Sequence, residues 1–191
     1  DTSCVLKGNY GNFNTLTLRA KQARDLFLII GPPGTGKTSY GLVNLLKEEL
    51  LEEGTSVLLL SYTNRAVDEI CSKLVEIREE DADFDFIRIG SELSCAKEYR
   101  DYLLSNKVKE KTGNAVKRLI DTTRVFCGTT AAFNASLSIF SLKHFSLAII
   151  DESSQILEPH LIGLLSAHDG PKEAIDRIVL IGGGRYQADL G

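Results

Sequence analysis

Phe27-Leu28-Ile29-Ile30-Gly31-Pro32-Pro33-Gly34-Thr35-Gly36-Lys37-Thr38 is the stretch that decides the fold. Four apolar residues closed by a glycine and two prolines predict a short buried strand over 27–30 that ends in a loop. Beyond the loop, Leu42, Val43, Leu45, Leu46 and Leu50 recur at helical spacing, so Thr38–Leu51 reads as a helix. The loop satisfies G-x-x-x-x-G-K-[ST] in the strand–loop–helix setting that gives this pattern its meaning. Its glycines let successive backbone N–H groups turn toward phosphate oxygens, and the helix start adds a favourable dipole. Gly34, Thr35, Gly36, Lys37, Thr38 and Ser39 are therefore the candidate nucleotide-binding residues. Lys37 would neutralise the β/γ-phosphates, and the Thr38 hydroxyl would ligate Mg²⁺.

A phosphate loop of this kind needs a carboxylate for its metal at the end of a neighbouring strand. Leu147-Ala148-Ile149-Ile150-Asp151-Glu152 supplies an apolar strand followed by two acids. Asp151 is the second candidate Mg²⁺ ligand, and Glu152 the candidate base that activates the water attacking the γ-phosphate. With Lys37, Glu152 completes the expected catalytic pair. A second carboxylate beside the metal ligand favours hydrolysis over simple nucleotide binding.

Working outward, Val57–Leu60, Phe86–Ile89, Arg124–Cys127 and Ile178–Ile181 give four further apolar strand candidates. Ala66, Val67, Ile70, Cys71, Leu74 and Val75 form a helical stripe, with Thr63 or Asn64 as N-cap. Uniformly apolar strands alternating with helices predict a mainly parallel sheet covered on both faces. Glu76–Asp85 holds six acids and one arginine and reads as an exposed loop or helix end. Lys97–Arg124 has eight Lys or Arg against four acids and reads as helical, either a surface near a nucleic-acid strand or a solvated face.

At 191 residues, 43% apolar and 25% charged, the chain suits one globular domain. No apolar run approaches the ~20 residues of a membrane span, and no apolar segment before a small-residue cleavage site marks a signal peptide. An intracellular protein with no membrane partner is expected. Cys4, Cys71, Cys95 and Cys127 form no C-x-x-C pair, which predicts reduced thiols rather than zinc ligands or disulfides. His144, His160 and His168 lack ligand spacing. A net charge of −4 excludes a generally basic coat but leaves room for a local nucleic-acid track. The lack of any Met suggests a processed or excised product.

Four segments together resemble superfamily 1 helicases: Gly31–Thr38, Leu60-Ser61-Tyr62-Thr63-Asn64-Arg65-Ala66-Val67-Asp68, Gly128-Thr129-Thr130 and Asp151-Glu152-Ser153-Ser154-Gln155. The similarity runs from about Asp25 to Ile181. It is greatest to the branch holding the nonsense-mediated-decay RNA helicase and related DNA replication and repair helicases. The resemblance implies a RecA-like P-loop NTPase domain of α/β class, the first of two motor domains, using ATP and Mg²⁺. It also implies contacts from Thr63, Asn64, Thr129 and Thr130 to the backbone of single-stranded DNA or RNA. Helix capping at Thr63 and Asn64, and turn formation at Thr129 and Thr130, are the competing readings. Gln155 either bonds near the nucleotide or is a solvated helix-start residue.

Three departures from the family pattern stand out. Asn12-Phe13-Asn14 occupies the region where the family carries an adenine-reading glutamine, and Gln22 is too near the loop to replace it. The family's Gly-Asp-x-x-Gln-Leu motif is altered to Gly182-Gly183-Gly184-Arg185-Tyr186-Gln187, which displaces Gln187 from the γ-phosphate-sensing place. The motifs of a second RecA-like domain, with its arginines, cannot fit after residue 182, so this stretch is expected to be the first motor domain only. The expected organisation is one domain over 1–182 with a helical insertion at about 92–123. Residues 183–191 read as an atypical tail, of non-native origin or without fixed structure. The expected function is the N-terminal motor half of an ATP-dependent helicase or translocase, weakly active alone. The principal alternative is a P-loop ATPase that acts as a regulatory or assembly switch. A non-catalytic interaction module and a small-molecule kinase are weaker rivals, since both acids are present and no acceptor pocket is signalled.

Overall fold

A computed structural model of the chain describes residues 4–22, 26–31, 41–151, 168–169 and 172–183. Helix α1 (Asn14–Gln22) precedes β1 (Leu26–Gly31), and α2 (Leu42–Leu50) leads to β2 (Val57–Ser61). Then come α3 (Asn64–Glu80), β3 (Ile87–Ile89), α4 (Leu104–Lys107), α5 (Gly113–Thr122) and β4 (Val125–Thr129). The chain continues with α6 (Thr130–Ala135), α7 (Ile139–Leu142), β5 (Phe145–Asp151), β6 (His168–Asp169), β7 (Lys172–Glu173) and β8 (Ile175–Gly183). Six strands form one sheet in the order β1-β8-β5-β2-β4-β3, every pairing parallel. The two-residue strands β6 and β7 make a separate antiparallel hairpin, which no hydrophobic pattern announces.

The period-2 alternation of each strand sends its apolar residues to two cores. Val57, Leu59, Val125, Cys127, Leu147 and Ile149 face α1, α2 and α3. Leu58, Leu60, Phe126, Phe145, Ala148 and Ile150 face α5, α6 and α7. Both faces are covered, and this is why these strands carry no polar alternation. Phe126, Phe140 and Phe145 pack edge to face in the second core, with centroids 5.4 and 6.0 Å apart.

Several expectations shift in detail. The acidic stretch continues α3 as far as Glu80 and then turns, because the apolar stripe persists through Ile77 while the charges stay in solvent. β8 begins at Ile175 and runs through Gly183, which pairs with Gly31, so the ladder enters the stretch read as a tail. Thr129 and Thr130 are the junction of β4 and α6 rather than an open turn. The region after β3 is largely helical, with 3₁₀ turns at Glu92–Ser94 and Lys97–Tyr102 before α4 and α5. Its tyrosines are not a free face: Tyr102 stacks on Phe86 at 4.1 Å. Two of its cations are tied into the structure. Lys107 Nζ donates to Asp85 at 2.5 Å, and Arg124 donates to the carbonyls of Leu50, Glu52 and Thr55.

Candidate functional site

Because all six strands are parallel, their carboxyl ends share one edge, and this is where open α/β sheets bind ligands. Asp151 ends β5 with the same parity as Leu147 and Ile149, so it points to the α2 and α3 side. Gly31, the first residue of the candidate phosphate loop, ends β1 two strands away. Asp151 is 2% exposed and lies beside a cavity of about 250 Å³. Leu42 at the start of α2 and the Ala66, Glu69, Ile70 and Lys73 side of α3 form the walls of that cavity. The sheet thus brings the metal-ligand candidate next to the helix that follows the loop. Gly34, Thr35, Gly36, Lys37, Thr38, Ser39, Glu152, Gln155 and Gln187 lie outside the described residues.

Next to Asp151 in the sheet is the end of β2. Leu60 pairs with Ile150, so Ser61 and Asp151 fall side by side, about 5 Å apart at the spacing of neighbouring strands. Ser61 Oγ is fully buried and has no hydrogen-bond partner. An orphaned hydroxyl beside a buried carboxylate is a polar pair that hard, oxygen-seeking cations suit. Among the described residues no group of three His, Cys, Asp or Glu could hold a metal unaided. Mg²⁺ characteristically takes one or two protein oxygens and completes its shell with phosphate and water. The residues present fit such an ion.

The strand-contact candidates sit at the same edge on β2 and β4, whose ends are in register at Ser61 and Thr129. Thr63 caps α3, its Oγ1 accepting from the Ala66 N–H at 3.2 Å, and Thr63 and Asn64 are both exposed. Thr129 likewise caps α6, accepting from the Ala132 N–H at 3.0 Å. Thr129 and Thr130 are buried. The structure therefore presents Thr63 and Asn64 to solvent and turns Thr129 and Thr130 inward. Gly128 beside them has a packing reason: a Cβ there would stand 2.9 Å from the Ile89 carbonyl oxygen and 2.8 Å from the Phe133 ring.

One pair escaped the sequence reading. Arg88 lies in the middle of β3 and is 1% exposed. Its guanidinium pairs with Asp68 on α3. Burial opposes the charge, but the Asp68 hydrogen bond and nearby thiol and carboxylate charges outweigh it and hold the arginine pKa above its ordinary value. The signal was available, since an arginine inside Phe86-Ile87-Arg88-Ile89 requires a buried partner. Another cavity, of about 850 Å³, lies at the opposite edge between Leu50, Phe84 and Arg124. It opens at the amino ends of the strands, away from Asp151.

An all-parallel sheet closed by helices, with a buried acid at a strand end facing the helix after a glycine-rich loop, defines a RecA-like domain. The fold is shared with the UvsW helicase of bacteriophage T4, at a TM-score of 0.61 and 15% identity over 93% of this chain and 55% of that one. A family model described as an AAA domain matches residues 14–116, and the chain belongs to that family. It is 36% identical over 148 residues to the DNA replication ATP-dependent helicase/nuclease JHS1 of Arabidopsis thaliana. It is 31% identical over 166 residues to the DNA replication ATP-dependent helicase/nuclease DNA2 of Homo sapiens. These matches cover 78% and 85% of the chain but only 10% and 15% of the relatives. The chain accordingly stands with the first motor domains of superfamily 1 helicases.

Proposed function

We propose that the chain is the ATP-binding first motor domain of a helicase or translocase that moves on single-stranded nucleic acid. The observation that carries this reading is the shared edge. Asp151 and the exposed Thr63–Asn64 turn end adjacent strands, β5 and β2, so nucleotide and strand would meet the same rigid sheet side by side. Lys37 and the 34–39 segment would hold the phosphates, Thr38 and Asp151 the Mg²⁺, and Glu152 would orient the attacking water. The bound Mg²⁺ would supply charge neutralisation between the β- and γ-phosphates. Thr63 and Asn64 would grip the sugar-phosphate backbone without reading bases. Thr129 would act by fixing the neighbouring strand end, because it is buried, whereas Thr63, which caps α3 in the same way, is exposed.

Residues 1–182 would form one domain, with residues 92–123 inserted between β3 and β4. The second RecA-like domain would complete the cleft and supply the arginines that stabilise the transition state. The relatives are named for DNA replication, so single-stranded DNA is the first substrate to try. The test is binding of a fluorescent ATP analogue with Mg²⁺, followed by titration with dT and U oligonucleotides. Lys37→Ala should abolish nucleotide binding, and Asp151→Asn should raise the Mg²⁺ needed for it by about tenfold or more. Nucleotide binding indifferent to both changes would overturn the ATP site. Binding of neither oligonucleotide would favour the non-translocating switch.

A further inference from the structure

We infer that Arg88 and Asp68 are positioning residues for strand binding, locking the Thr63–Asn64 turn to the Gly90–Ser94 turn as one rigid lip of the track. This rests on the strand-binding reading above.

The Arg88 side chain leaves β3 toward α3, on the opposite side of the sheet from Ile87 and Ile89, which belong to the α5–α7 core. Its guanidinium reaches two separate pieces of chain, α3 and the turn after β3. Nη1 pairs with Asp68 Oδ1 and lies 3.7 Å from Cys71 Sγ. Nη2 donates to the Asn64 carbonyl at 3.5 Å and to the Ser94 carbonyl at 3.3 Å. Asp68 Oδ1 also accepts the Ala96 N–H at 3.3 Å. Within the second turn, Ser94 N–H reaches the Ser91 carbonyl at 3.2 Å, and the Ser91 and Ser94 hydroxyls are 3.0 Å apart. One fork therefore holds the first turn of α3 and the chain leaving β3 in a fixed relation at the sheet's carboxyl edge.

A purely structural role does not need this arrangement. An apolar residue in a fully buried strand position is often at least as stabilising as an ion pair, because desolvation offsets the Coulomb attraction. An arginine is distinguished from other cations by a planar fork that serves several acceptors at once. Here the acceptors are the backbone oxygens of the two turns, one of them belonging to Asn64. A backbone held at that point sets where the Asn64 amide and the Thr63 cap can meet phosphate.

Arg88→Lys separates the roles. Lysine keeps the buried charge and the pairing with Asp68, but one ammonium on a shorter reach cannot span Asn64 and Ser94 together. The full chain and this variant are compared by thermal melting, by Mg²⁺-dependent binding of a fluorescent ATP analogue, and by anisotropy with a labelled dT oligonucleotide of about 15 nucleotides. The expected result is near-normal melting and nucleotide affinity with oligonucleotide affinity lowered about tenfold. Asp68→Asn, on the partly exposed partner, should act in the same direction. Wild-type oligonucleotide affinity in Arg88→Lys overturns the proposal. Loss of nucleotide and oligonucleotide affinity in equal proportion also overturns it, since that marks a general structural role. If the unmodified chain binds nucleotide but not oligonucleotide, the strand-binding reading itself fails and the proposal falls with it.

Discussion

Single residues at the carboxyl edge divide into those that face a ligand and those that let the edge exist. Gly128 is of the second kind. Its place in Gly128-Thr129-Thr130 invites a role in binding, yet the contacts a Cβ would make with Ile89 and Phe133 explain the glycine by close packing. Gly128→Ala must push β3 or α6 outward, at a cost of about 1–3 kcal/mol in urea unfolding. A variant as stable as the parent would show that the helix shifts freely. Ser61 and Asp151 are candidates for the first kind: one is orphaned and the other buried, and both are on the side of the sheet that faces α2. Sequence alone marked Asp151, because two acids after an apolar strand are visible in the chain. Ser61 carried no such mark, since its significance is the lack of a partner in three dimensions.

At the scale of elements, the N-terminal segment is tied down by a buried carboxylate on α2. Glu48 is 2% exposed. It accepts from Lys7 N–H at 2.7 Å, Gly8 N–H at 2.9 Å, Tyr10 Oη at 2.8 Å and Lys21 Nζ at 2.7 Å. Burial alone would raise the Glu48 pKa, but these four donors outweigh it and bring it from 4.5 down to about 2. The folded value lies below the unfolded one, so this stabilisation is complete above about pH 4.5 and is lost as pH falls through about 2. Proteolysis of the segment before α1 should therefore accelerate across that interval. Glu48→Gln should remove the pH dependence and lower stability at neutral pH by on the order of 3 kcal/mol, by leaving Lys21 buried without its partner. Unchanged acid sensitivity in Glu48→Gln would place the transition elsewhere. None of this was legible beforehand: the four donors come from residues 7–21 and meet α2 only after the chain has folded.

For the whole molecule, a net charge of −4 and an edge that presents hydroxyl and amide groups predict strand binding with little counterion release. Several cations in the stretch 97–124 are spent internally, as at Lys107 and Arg124. Oligonucleotide affinity should then fall by less than about tenfold when salt rises from about 50 to about 200 mM, the response to roughly two neutralised phosphates. A fall of about a thousandfold would mean that a cationic surface, not the Thr63–Asn64 edge, carries the binding.

The sequence by itself determined the alternation of strand and helix and the parallel sheet, because those follow from local patterns of apolar residues and glycine. It also determined the Asp151 strand end, since burial on both faces writes an uninterrupted apolar run up to the acid. Tertiary structure alone decided the strand order, which sets β2 between β5 and β4 and so places Asp151 beside the Thr63–Asn64 turn. It likewise decided that Thr130 is buried, that Arg88 meets Asp68, and that Glu48 gathers the N-terminal segment. Each of these depends on contacts between residues far apart in the chain, where hydrophobic periodicity says which side of an element is inside but not what it meets there.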